Sequence, residues 1–457
     1  MSLYTTLCSQ ALFPLHERLK GHDSVAVRRR LEAQERWPRA RLEAWRVGRL
    51  REFLIRIGRE VPYFHELFGS LSFDPAGVSS LADLQQLPRM DKATIRTAGE
   101  TMRARDAGAL TRYNTGGSSG EPLIFYVGKS RKSHDVAAKW RVTRWWGTDI
   151  GDREIVIWGS PIELGAQDRF RQCRDMLLRT RLLPAFEMSP ASLDGFLATI
   201  RTFRPAMLFG YPSALGLIAE HARARRQRMD DLGIKVAFVT SERLYDAQRA
   251  TISETFGCPV ANGYGARDAG FIAHECPEGQ LHLQAEDVIV EICDHDGGAV
   301  PPGEAGEIVV THTATHEFPF VRYRTGDVGV LSDQMCGCGR TLPIMKEIQG
   351  RTTDFVQAAN GTLMHGLALI YTVRDLPGVE QFKIIQHSLD CTEVLIVAGP
   401  AFDAAAESRI VQEYRNRLGK GVDIRVTRVD RIPAETSGKF RYVVSRVTGS
   451  KQEIVSR

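Results

Sequence analysis

No apolar run in this 457-residue chain approaches the roughly twenty residues a helix needs to cross a bilayer. The N-terminus has no basic stretch ahead of its first apolar residues, so it does not read as a secretory leader, and a cytoplasmic protein is expected. Charge of one sign is scarce: 60 Lys and Arg stand against 55 Asp and Glu, a formal excess of +5. From Arg28 to Arg59, Arg and Glu recur at helical spacing, which predicts a solvated helical face. No basic strip interleaved with aromatics is present, so a nucleic-acid partner is not expected. The P-loop spacing G-x-x-x-x-G-K-[ST] is missing too, which removes the P-loop NTPases. Eight cysteines without a leader argue for reduced thiols or a metal site over a disulfide framework.

What is present predicts an α/β protein of two domains, a large one over 1–349 and a small α+β one over 350–457. One stretch stands apart, Tyr113-Asn114-Thr115-Gly116-Gly117-Ser118-Ser119-Gly120-Glu121-Pro122, between the strand-like Ala109 to Arg112 and the apolar Leu123 to Val127. Glycines alternating with small hydroxyls bring backbone N–H groups close to an anion while the hydroxyls donate further hydrogen bonds. Strands on both sides make this a hairpin tip fit to hold phosphate, and the same composition also suits a plain Gly/Ser turn.

Upstream, residues 1 to about 70 read as helices ending at Val61-Pro62-Tyr63-Phe64, and Asp91 is placed as the N-cap of another short helix. Downstream, an amphipathic Ser133 to Trp146 leads into short β-rich runs at Arg153 to Trp158, Ala206 to Phe209, Lys235 to Val239 and Val260. Helical patterns separate them: Ser189-Pro190 opens one, Ser213 caps the next, and Gly257 follows a third. This alternation predicts an open sheet with its ligand beyond the carboxyl ends of the strands, where the Gly, Ser and aromatic tips converge. Antiparallel strands are expected from Leu281, at Glu286 to Cys293 and Glu307 to Thr311. A hairpin at Val379 to His387 and Thr392 to Val397, a helix at Ala404 to Leu418 and a strand at Val422 to Val429 complete the small unit.

Cys276, His282, Cys336 and Cys338 make a Cys₃His set that fits a closed tetrahedral Zn²⁺ site with no position for substrate, the alternative being four reduced residues around a Gly-rich turn. His274, His312 and His316 read as exposed or satisfied histidines before they read as reserve ligands. Cys8, Cys173, Cys258, Cys293 and Cys391 read as core or surface thiols.

Five motifs in order and spacing resemble the adenylate-forming (AMP-binding) ligase superfamily: Thr115 to Pro122, Tyr264-Gly265-Ala266-Arg267-Asp268, Tyr323-Arg324-Thr325-Gly326-Asp327, Gly350-Arg351 and Ser437-Gly438-Lys439-Phe440-Arg441. The segments Glu275 to Gly279 with Leu281-His282, and Cys336 to Arg340, are similar to the phenylacetate-CoA ligase branch and to its capsule-biosynthesis-associated members. The resemblance implies ATP-dependent activation of a carboxylic acid to an acyl-adenylate, then transfer to coenzyme A. It implies Thr115, Ser118, Ser119 and Gly120 over the β- and γ-phosphates, and Ser241 and Glu242 with Asn262, Gly263, Tyr264 and Gly265 around adenine. Asp327 would accept from the ribose hydroxyls, with Arg351 nearby at an interdomain hinge. Lys439 would touch both the substrate carboxylate and the α-phosphate, offsetting the repulsion of two anions that must meet. Mg²⁺ would do the same for pyrophosphate.

Departures from the superfamily pattern keep alternatives open. Arg267-Asp268 stands where Ser or Thr precedes Glu, leaving a shorter carboxylate for Mg²⁺ and an added cation that pairs with phosphate or with Asp268. Thr353, followed by Asp354, replaces a usual acid, and Ala358 to Thr372 lacks the usual glycine loop of the second half-reaction. The acceptor is therefore coenzyme A, or an amine or hydroxyl in polysaccharide or natural-product biosynthesis. A nucleotide-binding protein without ligase activity is the further alternative. Trp158, Phe209 and Tyr211 are candidates for an apolar acid pocket or for plain core, and a homodimer remains open.

Overall fold

The computed structural model describes residues 2–114, 123–158, 174–185, 188–294, 296–351, 355–360, 363–365, 367–374, 376–432 and 442–447. Helices come first: α1 (Leu3–Leu7) runs through a π-helical turn (Cys8–Leu12) into α2 (Phe13–Leu19). Next come α3 (Ser24–Gln34), α4 (Arg39–Glu60), α5 (Pro62–Ser70) and α6 (Lys92–Ala98). Pro62 opens α5 and does not end the helical region, because its fixed φ and missing N–H suit a first helical position. Asp91 caps α6 as expected, accepting from the Thr94 N–H.

The arginine face is not wholly solvated. Arg28 and Arg46 are buried: Arg28 lies 4.3 Å over the Trp140 ring, and Arg46 Nε donates to the Ala285 carbonyl at 3.1 Å. Helical period alone does not reveal which side of a charged helix the rest of the chain covers.

β1 (Thr111–Asn114) and β2 (Ile124–Val127) form the expected antiparallel hairpin, with Asn114 opposite Ile124. Its tip, including Thr115, Ser118, Ser119 and Gly120, lies outside the described residues. α7 (Lys129–Trp145) is less amphipathic than expected, burying Arg131, His134, Trp140 and Arg141, because it packs against both α3 and the central sheet.

Among the described residues the large unit is built on one eleven-stranded mixed sheet. β3 (Glu154–Trp158), β4 (Thr180–Pro184), β5 (Met207–Gly210), β6 (Val236–Thr240) and β7 (Val260–Ala266) run parallel in the spatial order β4-β3-β5-β6-β7. Helices Pro190–Phe203, Pro212–Ala224 and Asp246–Phe256 connect them. Ser189 caps the first and Gly257 ends the third at φ 62°, as expected. Ser213 does not cap the second. Tyr211 is its N-cap residue, Pro212 its first residue, and the Ser213 N–H donates to Glu242 instead.

β8 (Gly270–Glu275), β9 (Leu281–Leu283), β10 (Val288–Cys293), β11 (Ala305–His312), β12 (Tyr323–Ser332) and β13 (Ile344–Arg351) extend the sheet with antiparallel pairings. After a short hairpin of β14 (Phe355–Gln357) and β15 (Leu363–His365), β16 (Val379–Ser388), β17 (Cys391–Ala398), β18 (Asp423–Arg428) and β19 (Val443–Ser445) form a sheet in the order β18-β17-β16-β19. Helix Ala404–Leu418 covers it, and Phe382, Ile384, Val394, Ile410 and Tyr414 fill a core of its own. No described helix is long and apolar enough to cross a membrane.

Candidate active site

Parallel register brings the strand ends to one edge. Ile157 pairs with Gly210, Gly210 with Val239, and Val239 with Asn262, so Trp158, Tyr211, Ser241-Glu242 and Gly263-Tyr264 emerge side by side. Trp158 stacks on Tyr211 with ring centroids 4.4 Å apart and lies 5.8 Å from Phe209. Tyr211 is buried among the connecting helices, and Phe209 packs toward α7 beside Trp145 and Trp146. The three candidate pocket residues therefore meet through Trp158.

Ser241 adopts φ 72°, a left-handed conformation that costs a non-glycine residue about 1 kcal/mol and concentrates at functional sites. It turns the chain so that Glu242 accepts from the Ser213 N–H at 3.2 Å. Opposite, Glu275 takes the Asn262 N–H at 2.7 Å and both terminal nitrogens of Arg249 at 3.1 and 2.9 Å, which anchors the start of β7. Gly265 has no alternative: a Cβ there would stand 2.4 Å from the Gly270 carbonyl oxygen.

Tyr264 and Asp327, 63 residues apart, meet directly: the phenol donates to Asp327 Oδ2 at 2.8 Å. Thr325 Oγ1 accepts the Asp327 N–H at 3.1 Å and donates to the Ile308 carbonyl at 2.8 Å, so the aspartate is oriented from both ends. Arg351 is the backbone partner of Asp327 across β12 and β13. Arg243 Nη1 donates to the Gln349 carbonyl at 2.9 Å, tying the Ser241 turn to the end of β13. Beside it the Tyr245 ring meets Tyr442 edge-on at 5.1 Å. Burial, with Glu242 and Glu220 nearby, pushes the Tyr442 phenol up to about 12. Lys439 lies outside the described residues.

Asp268 is buried, with Oδ2 accepting from the Tyr323 phenol at 2.5 Å and Oδ1 from the Ala269 N–H at 3.1 Å. Arg131 Nη1 donates to the Asp268 carbonyl at 3.1 Å. Arg267 is exposed and its Nη1 donates to the Asn114 carbonyl at 3.2 Å, at the base of the hairpin. Sequence reasoning missed Tyr323 as a holder of Asp268, although it stands inside a motif; nothing local marks Arg131 or the Tyr245–Tyr442 contact.

Away from this edge, the ligand atoms of Cys276, His282, Cys336 and Cys338 all lie within 4.8 Å of one another. Cys276 Sγ is 3.6 Å from Cys336 Sγ, and Cys338 Sγ is 3.3 Å from His282 Nε2. The Leu342 carbonyl, 3.2 Å from His282 Nδ1, holds the ring so that Nε2 faces the thiols, and burial pushes this histidine down to about 4, leaving it neutral. His274, His312 and His316 stand outside the group. Cys8, Cys258, Cys293 and Cys391 are free thiols, the first three buried, and Cys173 lies outside the described residues. A second group, His134, Asp135 and His312, is equally tight, but Arg131 Nε takes both Asp135 oxygens at 2.9 Å.

The AMP-binding enzyme profile matches residues 180–316, which carry the Ser241 turn and the Tyr264 strand, and the CapK C-terminal domain profile matches residues 356–446. The chain belongs to the AMP-binding, adenylate-forming superfamily. Within that superfamily it is similar to Protein CapK of Staphylococcus aureus, at 23% identity over 87% of this chain and 88% of that one. It is similar to the phenylacetate-coenzyme A ligase of Thermus thermophilus at 24% identity over 90% and 98% of the two chains. The superfamily fold is matched by 2-hydroxyisobutyryl-CoA ligase in the postadenylation state with 2-HIB-AMP, at TM-score 0.73 and 20% identity over 93% of this chain and 94% of that one. The same ligase with 2-HIB-AMP and CoA in the thioesterification state gives 0.61 over 93% and 94%.

Proposed function

We propose that the protein is an AMP-forming carboxylic acid ligase that makes an acyl-adenylate at the carboxyl edge of its parallel strands and then passes the acyl group to coenzyme A. The observation that carries this reading is the Tyr264–Asp327 hydrogen bond at 2.8 Å, which joins two superfamily motifs beside the Ser241 turn. In this reading Tyr264 offers its ring to adenine, Ser241, Glu242, Asn262, Gly263 and Gly265 line the base, and Asp327 accepts from the ribose hydroxyls. A carboxylate has about four lone-pair positions, and Asp268 uses two of them on Tyr323 and Ala269, so two remain with which it could meet Mg²⁺. That ion would neutralise the pyrophosphate leaving group. Arg267, bonded to Asn114, would steady the hairpin whose Thr115, Ser118, Ser119 and Gly120 close over phosphate.

Residues 350–457 are proposed as a mobile lid hinged at Gly350-Arg351. Tyr442 beside Tyr245 supports this, because Lys439 stands three residues before Tyr442 in the chain. So does the difference between the TM-scores, 0.73 and 0.61, to one ligase in two states. Trp158, Phe209 and Tyr211 would form the apolar wall for the acid. The acceptor reading rests on relatives named as CoA ligases. The altered Ala358 to Thr372 segment, within the CapK C-terminal match, favours an amine or hydroxyl as the second possibility.

The Cys₃His group fits Zn²⁺. Bonds of about 2.3 Å to sulfur and 2.0–2.1 Å to nitrogen in a tetrahedron place sulfurs about 3.8 Å apart and sulfur about 3.5 Å from nitrogen, close to the 3.6 and 3.3 Å observed. Four protein ligands leave no position for substrate, so the role proposed is structural.

The test is acid-dependent ATP–pyrophosphate exchange across a panel of carboxylic acids, with mass spectrometry of the products formed with and without coenzyme A. Lys439→Ala should slow adenylation by roughly a hundred- to a thousandfold while ATP still binds. Exchange at the parental rate in that variant would remove Lys439 from the mechanism. An acyl-adenylate that persists with coenzyme A but is consumed by an amine or hydroxyl would replace the thiol acceptor.

A further inference from the structure

The first helical run is built inside out. Leu3, Leu7, Leu12, Leu15 and Leu19 are all exposed, Leu3 to 93% and Leu19 to 79%, whereas the run buries Thr5, Cys8, Ser9, Phe13 and Glu17. The inward polar groups have partners: Thr5 Oγ1 donates to Asp152 at 2.7 Å, and Glu17 holds Ser24 and His22. Solvent alone gives no reason for five exposed leucines in one short helical run.

The π-helical turn keeps those leucines on one face. Five residues separate Leu7 from Leu12, and at 3.6 residues per turn that step would rotate the stripe by about 140°. With i→i+5 bonding, about 4.4 residues complete a turn and the same step rotates it by only about 50°. All five leucines then fall within roughly a quarter of the circumference. Met176, 72% exposed, and Leu177 widen the face, because Tyr4 Oη and Cys8 Sγ both bond to the Leu177 carbonyl, at 2.7 and 3.6 Å.

The rim of this face is basic. Arg18 and Lys20 are exposed at the end of α2, Arg179 lies 3.8 Å over the Tyr4 ring, and Lys129 Nζ reaches Gly21. Among the described acids nearby, Glu17 is engaged by Ser24 and His22, Asp152 by Thr5, and Asp175 by Arg174, and Asp23 is exposed beside Gly21. We propose that this face docks on an anionic lipid surface, with the leucines at the acyl boundary and Arg18, Lys20, Lys129 and Arg179 against headgroup phosphates. A helical run from Leu3 to Leu19 is about 25 Å long and lies in the plane of such a surface without crossing it. A second copy of the chain suits the face less well, because a twofold pairing would bring two rims of Arg18, Lys20, Lys129 and Arg179 together, and among the described residues Asp23 is the exposed acid beside them.

The test uses the full chain, pelleted with vesicles of phosphatidylglycerol and, separately, of phosphatidylcholine. At low salt at least tenfold more protein should pellet with phosphatidylglycerol, and 0.5 M salt should weaken that binding. The double variant Leu7→Ser and Leu15→Ser should lose at least tenfold in partitioning with an unchanged melting temperature, since both side chains are exposed. Arg18→Glu with Lys20→Glu should lose a similar factor. Parental pelleting no greater than without vesicles, or unchanged in the leucine variant, overturns the proposal. So does a parental dimer that the leucine substitutions dissociate, which would make a second copy the occupant.

Discussion

Removing the metal proposed for the Cys₃His group perturbs a defined cross-link. Cys276 and Cys336 are 60 residues apart, and closing a loop of that length costs the unfolded chain about 4 kcal/mol of entropy at 25 °C. This is an upper figure, because Ile344 already pairs with His282 between β13 and β9. At about 2 cal/mol/K of unfolding entropy per residue, a chain of this size should lose up to about 5 °C in melting temperature. The group also has its own optical reporter. Trp145 stands 6.0 Å from the His282 ring, with Arg340 4.2 Å over it and its indole N–H on Glu35 at 2.9 Å. Metal analysis of protein never exposed to chelator should give about one zinc per chain. Chelation or Cys336→Ser should lower the melting temperature by a few degrees and shift an emission that Trp145→Phe removes. Zinc-free protein from such a preparation, or a Cys336→Ser variant that melts within a degree of the parent, would refute the reasoning.

Tyr264→Phe keeps the ring and removes the bond to Asp327; a hydrogen bond to a charged group in a half-buried site predicts roughly tenfold weaker ATP binding by calorimetry, with no change in melting temperature. Unaltered affinity would show that the phenol does not orient the aspartate. Two buried imidazoles contribute to acid sensitivity: burial and Arg141 push His274 down to about 3, and burial, Arg131 and His134 hold His312 well below its ordinary value. Unfolded histidine protonates near pH 6.5, so below that pH the unfolded chain binds more protons. Their contribution is complete above about 6.5 and is lost on acidification, by about 1.4 kcal/mol per pH unit for each histidine. Denaturant unfolding should show about 1.4 kcal/mol of this loss per histidine across the whole window from about pH 7.5 to 5.5, and His274→Gln should reduce it; an equal loss in the variant would exclude His274 as a source.

The strand tips, the hairpin and the Cys₃His set were legible because each is local: a Gly-Ser loop, a β run ending in small residues, two cysteines around a glycine. β4 was missed because Thr180-Arg181-Leu182-Leu183-Pro184 alternates weakly and ends in proline, yet it pairs with β3 along its whole length. The arginines misled more seriously. Arg141 is fully buried against Glu286 and Gln284, about 145 residues away, and no spacing rule carries information over that separation. The same holds for Tyr264 and Asp327, whose pairing depends on β12 reaching the sheet edge, and for Arg267, whose contact with Asn114 depends on where the hairpin lands.

The four residues Glu242 to Tyr245 touch three bodies at once. Glu242 belongs to the proposed adenine wall, Arg243 holds the Gln349 carbonyl one residue before the proposed hinge, and Tyr245 meets Tyr442 of the small unit. Such a segment makes nucleotide affinity and lid orientation thermodynamically reciprocal. If a bound nucleotide favours the orientation with Tyr442 against Tyr245 by some factor, that orientation must tighten nucleotide binding by the same factor. In the proposed cycle, swinging the lid away would then loosen AMP through this coupling as well as by withdrawing Lys439 from the α-phosphate. Under that reading, nucleotide release would follow the position of the lid as well as the strength of the adenine pocket.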